Sequence, residues 1–129
     1  EKYGIHMLDA TLEIFKQKPK GIFCIKNEKF ESYLIYLENN IICQIDCMGE
    51  GIFSFDYTLY GTKEIYKTEL RDNFSAFKRT LENFILQINT KKPSISWESM
   101  SSSILTLIAG IESRNKNKKI IISEWLILC

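Results

Sequence analysis

The fold of this 129-residue chain is decided by the stretch Tyr33-Leu34-Ile35-Tyr36-Leu37-Glu38-Asn39-Asn40-Ile41-Ile42-Cys43-Gln44-Ile45. Two runs rich in strand-forming residues flank Asn39-Asn40, and Asn tolerates the positive φ that tight hairpin turns require. A two-residue turn at this site predicts an antiparallel hairpin that pairs Leu37 with Ile42 and Tyr36 with Cys43. One face of that hairpin is then entirely apolar and carries Leu34, Tyr36, Ile41, Cys43 and Ile45.

The opposite hairpin face is apolar only near the turn, because Gln44 and Asp46 follow on the same side. A half-apolar face predicts a cover, which is either a helix of this chain or a partner protein. Together with an aromatic residue near the C-terminus, this face supplies the predicted partner-binding residues, which are Tyr33, Ile35, Leu37, Ile42 and Trp125.

Further elements are predicted on both sides of the hairpin. The spacing of apolar residues predicts a short helix over Leu8–Gln17, and a strand-forming run follows over Gly21–Lys26. Alternation predicts a strand over Ile52–Tyr57, and a further short strand is predicted over Thr62–Lys67.

The second half of the chain has helical periodicity. Apolar residues three and four apart predict an amphipathic helix over Leu70–Asn89, capped by Thr68 or Asp72. A second helix follows, and its predicted buried stripe is Trp97, Met100, Ile104, Leu107, Ile108 and Ile111. A last strand over Ile120–Leu128 is apolar almost throughout, as expected for a strand covered on both faces.

This order of elements predicts the fold class. Strands that cluster before helices favour an α+β fold with a mainly antiparallel sheet. We expect about five strands and three helices in the order helix-strands-helix-helix-strand, forming a single domain over residues 1–129. The missing initiator Met and the apolar end Trp125–Cys129 predict an excised domain, or further residues beyond Cys129.

Composition excludes several classes of protein. Hydrophobic residues make up 45% of the chain, which is too many for a disordered protein. A net charge of +1 argues against a dedicated nucleic-acid binder. No apolar run approaches the ~20 residues of a membrane span. We expect a cytoplasmic protein whose four cysteines, Cys24, Cys43, Cys47 and Cys129, are reduced.

No motif in the sequence predicts a catalytic, cofactor-binding or metal-binding residue. Cys43 and Cys47, with Cys24 and His6, form one loose pair instead of the paired knuckles of a structural zinc site. Gly49-Glu50-Gly51 is too short for a dinucleotide fingerprint or a phosphate loop. The basic segment 114–119 is interpreted as a solvated turn.

Three segments resemble a known family. Leu12-Glu13-Ile14-Phe15, then Lys20-Gly21-Ile22-Phe23-Cys24-Ile25, then the hairpin over residues 33–42 are similar to the opening of PATAN-type domains, which are attached to bacterial response regulators. The resemblance covers residues 8–57. It implies a non-catalytic interaction or regulatory module and transfers no catalytic residue.

The sequence therefore predicts a non-catalytic protein–protein interaction domain of an intracellular signalling assembly, with a protein partner and homodimer formation. One alternative is a roadblock- or longin-like scaffold that binds a small GTPase, with the helix Leu70–Asn89 lying across the sheet. The other alternative is a small enzyme with a cleft that uses Cys47 or His6.

Overall fold

The computed structural model describes residues 4–49, 54–69 and 71–122. Its elements in chain order are α1 (Gly4–Phe15), β1 (Pro19–Lys26), β2 (Glu31–Leu37), a 3₁₀ turn (Glu38–Asn40), β3 (Ile42–Cys47), β4 (Asp56–Tyr60), β5 (Ile65–Glu69), α2 (Asn73–Thr90), α3 (Trp97–Lys116) and β6 (Ile120–Ile121). The predicted α+β class and the order helix-strands-helix-helix-strand are confirmed.

Two compact units divide the chain. The first unit comprises Glu1–Gly51 and Trp97–Cys129, and the second comprises Ile52–Ser96. The first unit contains an antiparallel sheet in the order β3-β2-β1-β6, and the second contains the two-stranded sheet β4-β5. The single domain over residues 1–129 stays a prediction.

The core of the first unit lies between one face of its sheet and the helices α1 and α3. Antiparallel strands expose alternate side chains to one face, and on this face they are apolar. The buried apolar residues of this core are Leu8, Ile22, Ile35, Leu37, Cys43, Ile45, Ala109, Ile120 and Ile122.

The hairpin register differs from the predicted one by one residue. Tyr36 pairs with Ile42 and Ile35 with Cys43, because Glu38 joins the two Asn residues in a three-residue turn. The Leu37 amide donates to the Ile41 carbonyl at 2.9 Å, which closes that turn. A one-residue shift moves a strand's side chains to the other face relative to its partner.

The corrected register changes which residues share a face. Tyr33, Ile35 and Leu37 lie on the core face together with Cys43 and Ile45. The predicted register had placed Tyr33, Ile35 and Leu37 on the opposite face. Ile42 lies on the outer face of the sheet and is 62% exposed. The predicted surface of Tyr33, Ile35, Leu37 and Ile42 is therefore not one surface.

α3 faces the sheet with small residues, and here the predicted stripe is wrong. Its buried residues are Ser103, Thr106, Ala109, Gly110 and Ser113. A Cβ at Gly110 would lie 3.2 Å from Ile22 Cδ1 and 3.3 Å from Tyr33 Cε1. The helix approaches the sheet so closely at Gly110 that only small side chains fit there. Of the predicted stripe, Leu107 packs against the core, whereas Trp97, Met100, Ile104 and Ile108 are exposed.

The hydroxyl of Ser113 joins α3 to the sheet. Ser113 is fully buried, and its Oγ accepts from the Cys24 amide at 2.9 Å and donates to the Lys118 carbonyl at 2.6 Å. Among the described residues, β6 pairs with β1 at Gly21 and Ile22. The hydroxyl thus bridges two backbone groups beyond the end of that short ladder and fixes the last turn of α3 beside β1.

The second unit contains the β4-β5 hairpin and the long helix α2. The predicted helix over Leu70–Asn89 corresponds to α2, and of its two predicted caps Asp72 is the one observed. The Asp72 carboxylate accepts from the Ser75 amide at 2.9 Å, and this bond holds the pKa of the carboxyl below its ordinary value. Lys91 ends the helix with a left-handed φ of 53°.

Two predicted strands extend beyond the described residues. Of the predicted strand Ile52–Tyr57, positions 52 and 53 lie outside them, and β4 begins at Asp56. Of the last predicted strand, only Ile120–Ile122 falls within them, and Ile120–Ile121 forms β6. The predicted partner-binding residue Trp125 also lies outside the described part of the chain.

Candidate functional site

A cavity of about 110 Å³ lies in the first unit, between α1, α3 and the core face of the sheet. Its apolar lining comes from all three layers and consists of Leu8, Ile22, Ile35, Ile45, Leu107 and Ile111. The remaining lining residues are Gly4, Glu31, Tyr33, Cys47, Thr106 and Gly110. The cavity is thus a small, mainly apolar space within the core of the first unit.

The Glu31 carboxylate is the charged group at this cavity. Its Oε2 accepts from the Tyr33 hydroxyl at 2.6 Å, and its Oε1 lies 3.3 Å from Arg114 Nη1. About three-quarters of each charged side chain is buried. Both carboxylate oxygens are thus engaged, so Glu31 positions Tyr33 and Arg114 and is not free to act as a base.

The protonation of Tyr33 follows from the same geometry. Burial raises the pKa of its hydroxyl far above the ordinary range, and the hydrogen bond to Glu31 raises that pKa further. Burial favours the neutral form of an acid, and so does a neighbouring negative charge. Tyr33 therefore remains a hydrogen-bond donor at physiological pH.

The three described cysteines are free, as the sequence predicts. Burial raises the pKa of each thiol, at Cys24, Cys43 and Cys47. The thiolate is the nucleophilic form of cysteine, and a raised pKa suppresses it. The alternative of a cleft enzyme that uses Cys47 is therefore not supported, although Cys47 does line the cavity.

His6 lies in the first turn of α1 and is exposed. It is the only histidine of the sequence, and it is not among the described residues that line the cavity. The cavity thus contains neither an imidazole nor an activated thiol. Its chemistry is that of a small apolar space with a satisfied carboxylate at one side.

The structure also bears on three other features considered from the sequence, which are metal ligation, membrane spans and the basic segment. Within residues 4–49, 54–69 and 71–122, no three His, Cys, Asp or Glu side chains form a group that could hold a metal ion. None of the described helices is long and apolar enough to cross a membrane. Cations of the basic segment have partners within the chain: Arg114 contacts Glu31, Lys116 contacts Glu112, and Lys119 lies over the Tyr36 ring at 3.5 Å.

The predicted partner-binding residues are dispersed in the structure. Ile35 and Leu37 are buried by this chain's own core, and Tyr33 is half-buried at the cavity. Ile42 is exposed on the other side of the sheet. A role for these residues in binding a partner stays a prediction for Ile42, and the burial of Ile35 and Leu37 removes them from any free surface.

Comparison with known proteins shows a likeness to a solved structure. No protein-family model matches the sequence, and no curated protein matches it. A solved structure described as the crystal structure of a probable dehydrogenase from Thermotoga maritima is similar, with a TM-score of 0.78 and 13% identity. The match covers 93% of this chain and 48% of that chain. This chain thus spans about half the length of the protein that it matches.

That likeness corrects the predicted function. The prediction of a non-catalytic interaction domain in a signalling assembly is wrong, because the fold is one that occurs within a probable dehydrogenase. The alternative of a scaffold that binds a small GTPase is wrong for the same reason. The resemblance of residues 8–57 to PATAN-type domains and the homodimer stay predictions, since no finding addresses either of them.

Sequence reasoning missed the residues that organise the first unit. Ser113 and Gly110 were not singled out, although a regular series of small residues (Ser103, Thr106, Ala109, Gly110 and Ser113) runs along one side of α3. Small residues at helical spacing indicate close packing against a neighbouring element. That signal was present in the sequence beside the more visible apolar stripe.

Proposed function

We propose that this chain is one domain of a two-domain dehydrogenase, in which it forms the substrate side of the active site. The observation that carries the proposal is the fold, which matches 48% of a probable dehydrogenase over 93% of this chain. A separate domain supplies the dinucleotide in this proposal, because the sequence contains no glycine-rich fingerprint of its own.

Dehydrogenation of an alcohol needs two acceptors. A dinucleotide held by the other domain would take the hydride from the alcohol carbon, and a base, most often an imidazole, would take the hydroxyl proton. His6 is the only imidazole of this sequence, but it is exposed in α1 and is not among the described residues that line the cavity. None of the described residues of this chain is therefore assigned as the proton acceptor.

The test uses the full-length product of the reading frame that encodes this chain. It is mixed with NAD⁺ or NADP⁺ and a panel of hydroxylated compounds, and reduction of the cofactor is followed by absorbance. We expect cofactor-dependent oxidation of at least one compound. A reading frame with no dinucleotide-binding segment, whose product oxidises none of them, would overturn the proposal.

A further inference from the structure

The cavity between α1, α3 and the core face of the sheet has the size of a site for a small ligand. The described residues that line it all belong to the first unit, so the first unit alone forms these walls. Its volume is about 110 Å³, whereas a single water molecule needs about 10–15 Å³ on the same measure. Spaces of this size are few in proteins, because side chains in the interior otherwise pack closely.

The position of α3 keeps this space from closing. The helix already touches the sheet at Gly110, where a Cβ would lie 3.2 Å from Ile22 Cδ1. The Ser113 hydroxyl fixes the last turn of the same helix to β1. α3 therefore has no room to move inward, and a ligand that enters finds the space already formed, which lowers the cost of binding.

The polar side chains that line the cavity already have partners. The Tyr33 hydroxyl donates to Glu31 Oε2 at 2.6 Å, and Glu31 Oε1 lies 3.3 Å from Arg114 Nη1. The Thr106 hydroxyl donates to the Ser102 carbonyl at 2.7 Å. A polar ligand would have to compete with these bonds, whereas an apolar ligand leaves them intact.

We propose that this cavity binds a small, uncharged, apolar molecule of about the size of benzene. Aliphatic side chains from all three layers are placed to contact it, namely Leu8, Ile22, Ile35, Ile45, Leu107 and Ile111. An apolar cavity of about 150 Å³ takes up benzene or xenon in another protein, and this one is of similar size. The inference does not rest on the proposed dehydrogenase function.

The test is a titration of benzene into the 129-residue chain, with the leucine and isoleucine methyl groups followed by NMR. We expect saturable shifts at the methyls of Leu8, Ile45 and Leu107, with one common Kd of about 1 mM. For six carbon atoms, that affinity needs less than half of the best binding energy attainable per atom. Ile42, which is exposed on the outer face of the sheet, is expected not to follow the same curve.

Two matched substitutions locate the binding site. Cys47→Phe places a ring at the wall of the cavity, and Met48→Phe places the same ring at the exposed neighbouring position. We expect Cys47→Phe to weaken benzene binding by about ten-fold or more, because its ring competes for the same contacts. Met48→Phe is expected to leave binding unchanged. Cys47→Leu, which adds less volume, replaces Cys47→Phe if that variant does not fold.

Benzylamine tests the chemical class of the ligand, because it carries a cation on a ring of the same size. Glu31 would attract this cation if its oxygens were not already engaged. We expect benzylamine to bind more weakly than benzene by about ten-fold or more, because a buried charge without a partner is costly.

Three results would overturn the inference. The first is a shift at Ile42 equal to those at the cavity methyls, or shifts that never saturate, which indicates partition onto exposed apolar surface. The second is equal benzene binding by the folded position-47 variant and Met48→Phe, which places the benzene elsewhere. The third is binding of benzylamine as tight as that of benzene, which assigns the cavity to a cationic ligand.

Discussion

Replacing Ser113 by Ala tests how α3 is joined to the sheet. The change removes a hydroxyl that accepts from the Cys24 amide at 2.9 Å and donates to the Lys118 carbonyl at 2.6 Å. Cys24 is fully buried, so its amide has no access to water, and an unmade buried donor costs about 1–3 kcal/mol. Lys118 is exposed, and rehydration limits the loss at its carbonyl to about 1 kcal/mol.

The expected total is a loss of about 2–4 kcal/mol in the free energy of unfolding. That is a large fraction of the roughly 5–15 kcal/mol that stabilises a typical domain. Urea unfolding of the 129-residue chain, followed by circular dichroism, measures this loss as a lower midpoint at unchanged slope. Hydrogen exchange provides the local readout, since the Cys24 amide is expected to exchange faster in the variant.

The control for this prediction is Thr106→Val. Thr106 is also fully buried on the sheet side of α3, and its hydroxyl donates to the Ser102 carbonyl at 2.7 Å. That carbonyl already accepts the helical bond from the residue four positions on, so the expected loss is below about 1 kcal/mol. Equal losses for the two variants, or unchanged exchange at Cys24, would refute the bridging role of Ser113.

Three further predictions concern packing, capping and titration. Gly110→Leu overpacks the contact with Ile22 and Tyr33 and lowers the free energy of unfolding by about 1–3 kcal/mol; a urea midpoint equal to that of the parent chain would contradict this close approach. Asp72→Ala removes the cap of α2 and lowers helicity by circular dichroism, whereas Asp72→Ser keeps it; because the pKa of Asp72 is lowered, acid removes the same helicity only below the ordinary carboxyl range. The thiols of Cys24, Cys43 and Cys47 have raised pKa values, so the unfolded chain loses their protons first, and stability falls as the pH rises above about 8.5. Stability that rises across that range would contradict their burial.

The order of the elements was accessible from sequence because it depends on local periodicity. The α2 stripe repeats every three or four residues, and its cap at Asp72 is a short polar residue directly before the first turn. Strand alternation around Asn39-Asn40 located the hairpin for the same reason. Signals of this kind extend over many residues and survive small errors at each position.

The hairpin register was not accessible because it depends on a single residue. A two-residue turn and a three-residue turn differ only in whether Glu38 pairs with the opposite strand or forms part of the turn. Both turns are compatible with positive φ at Asn39 and Asn40. That one step moved Ile35 and Leu37 from a predicted open face into the core. The predicted placement of Tyr33, Ile35 and Leu37 on a partner surface depended on this choice.

The orientation of α3 was missed for a different physical reason. Periodicity locates an apolar stripe but does not say that the stripe faces the chain's own core. Here Gly110 and the small residues near it let the helix approach the sheet closely, which turned Ile104 and Ile108 outward. The small residues on the opposite side of α3 were the signal that this side packs on the sheet.

The most direct test of the two-domain dehydrogenase is calorimetric titration of NAD⁺ and NADP⁺ into the full-length product and into the 129-residue chain. Our account predicts that the full-length product binds one dinucleotide per chain and that the 129-residue chain alone binds none. Binding by the 129-residue chain on its own, or no binding by the full-length product, would contradict it.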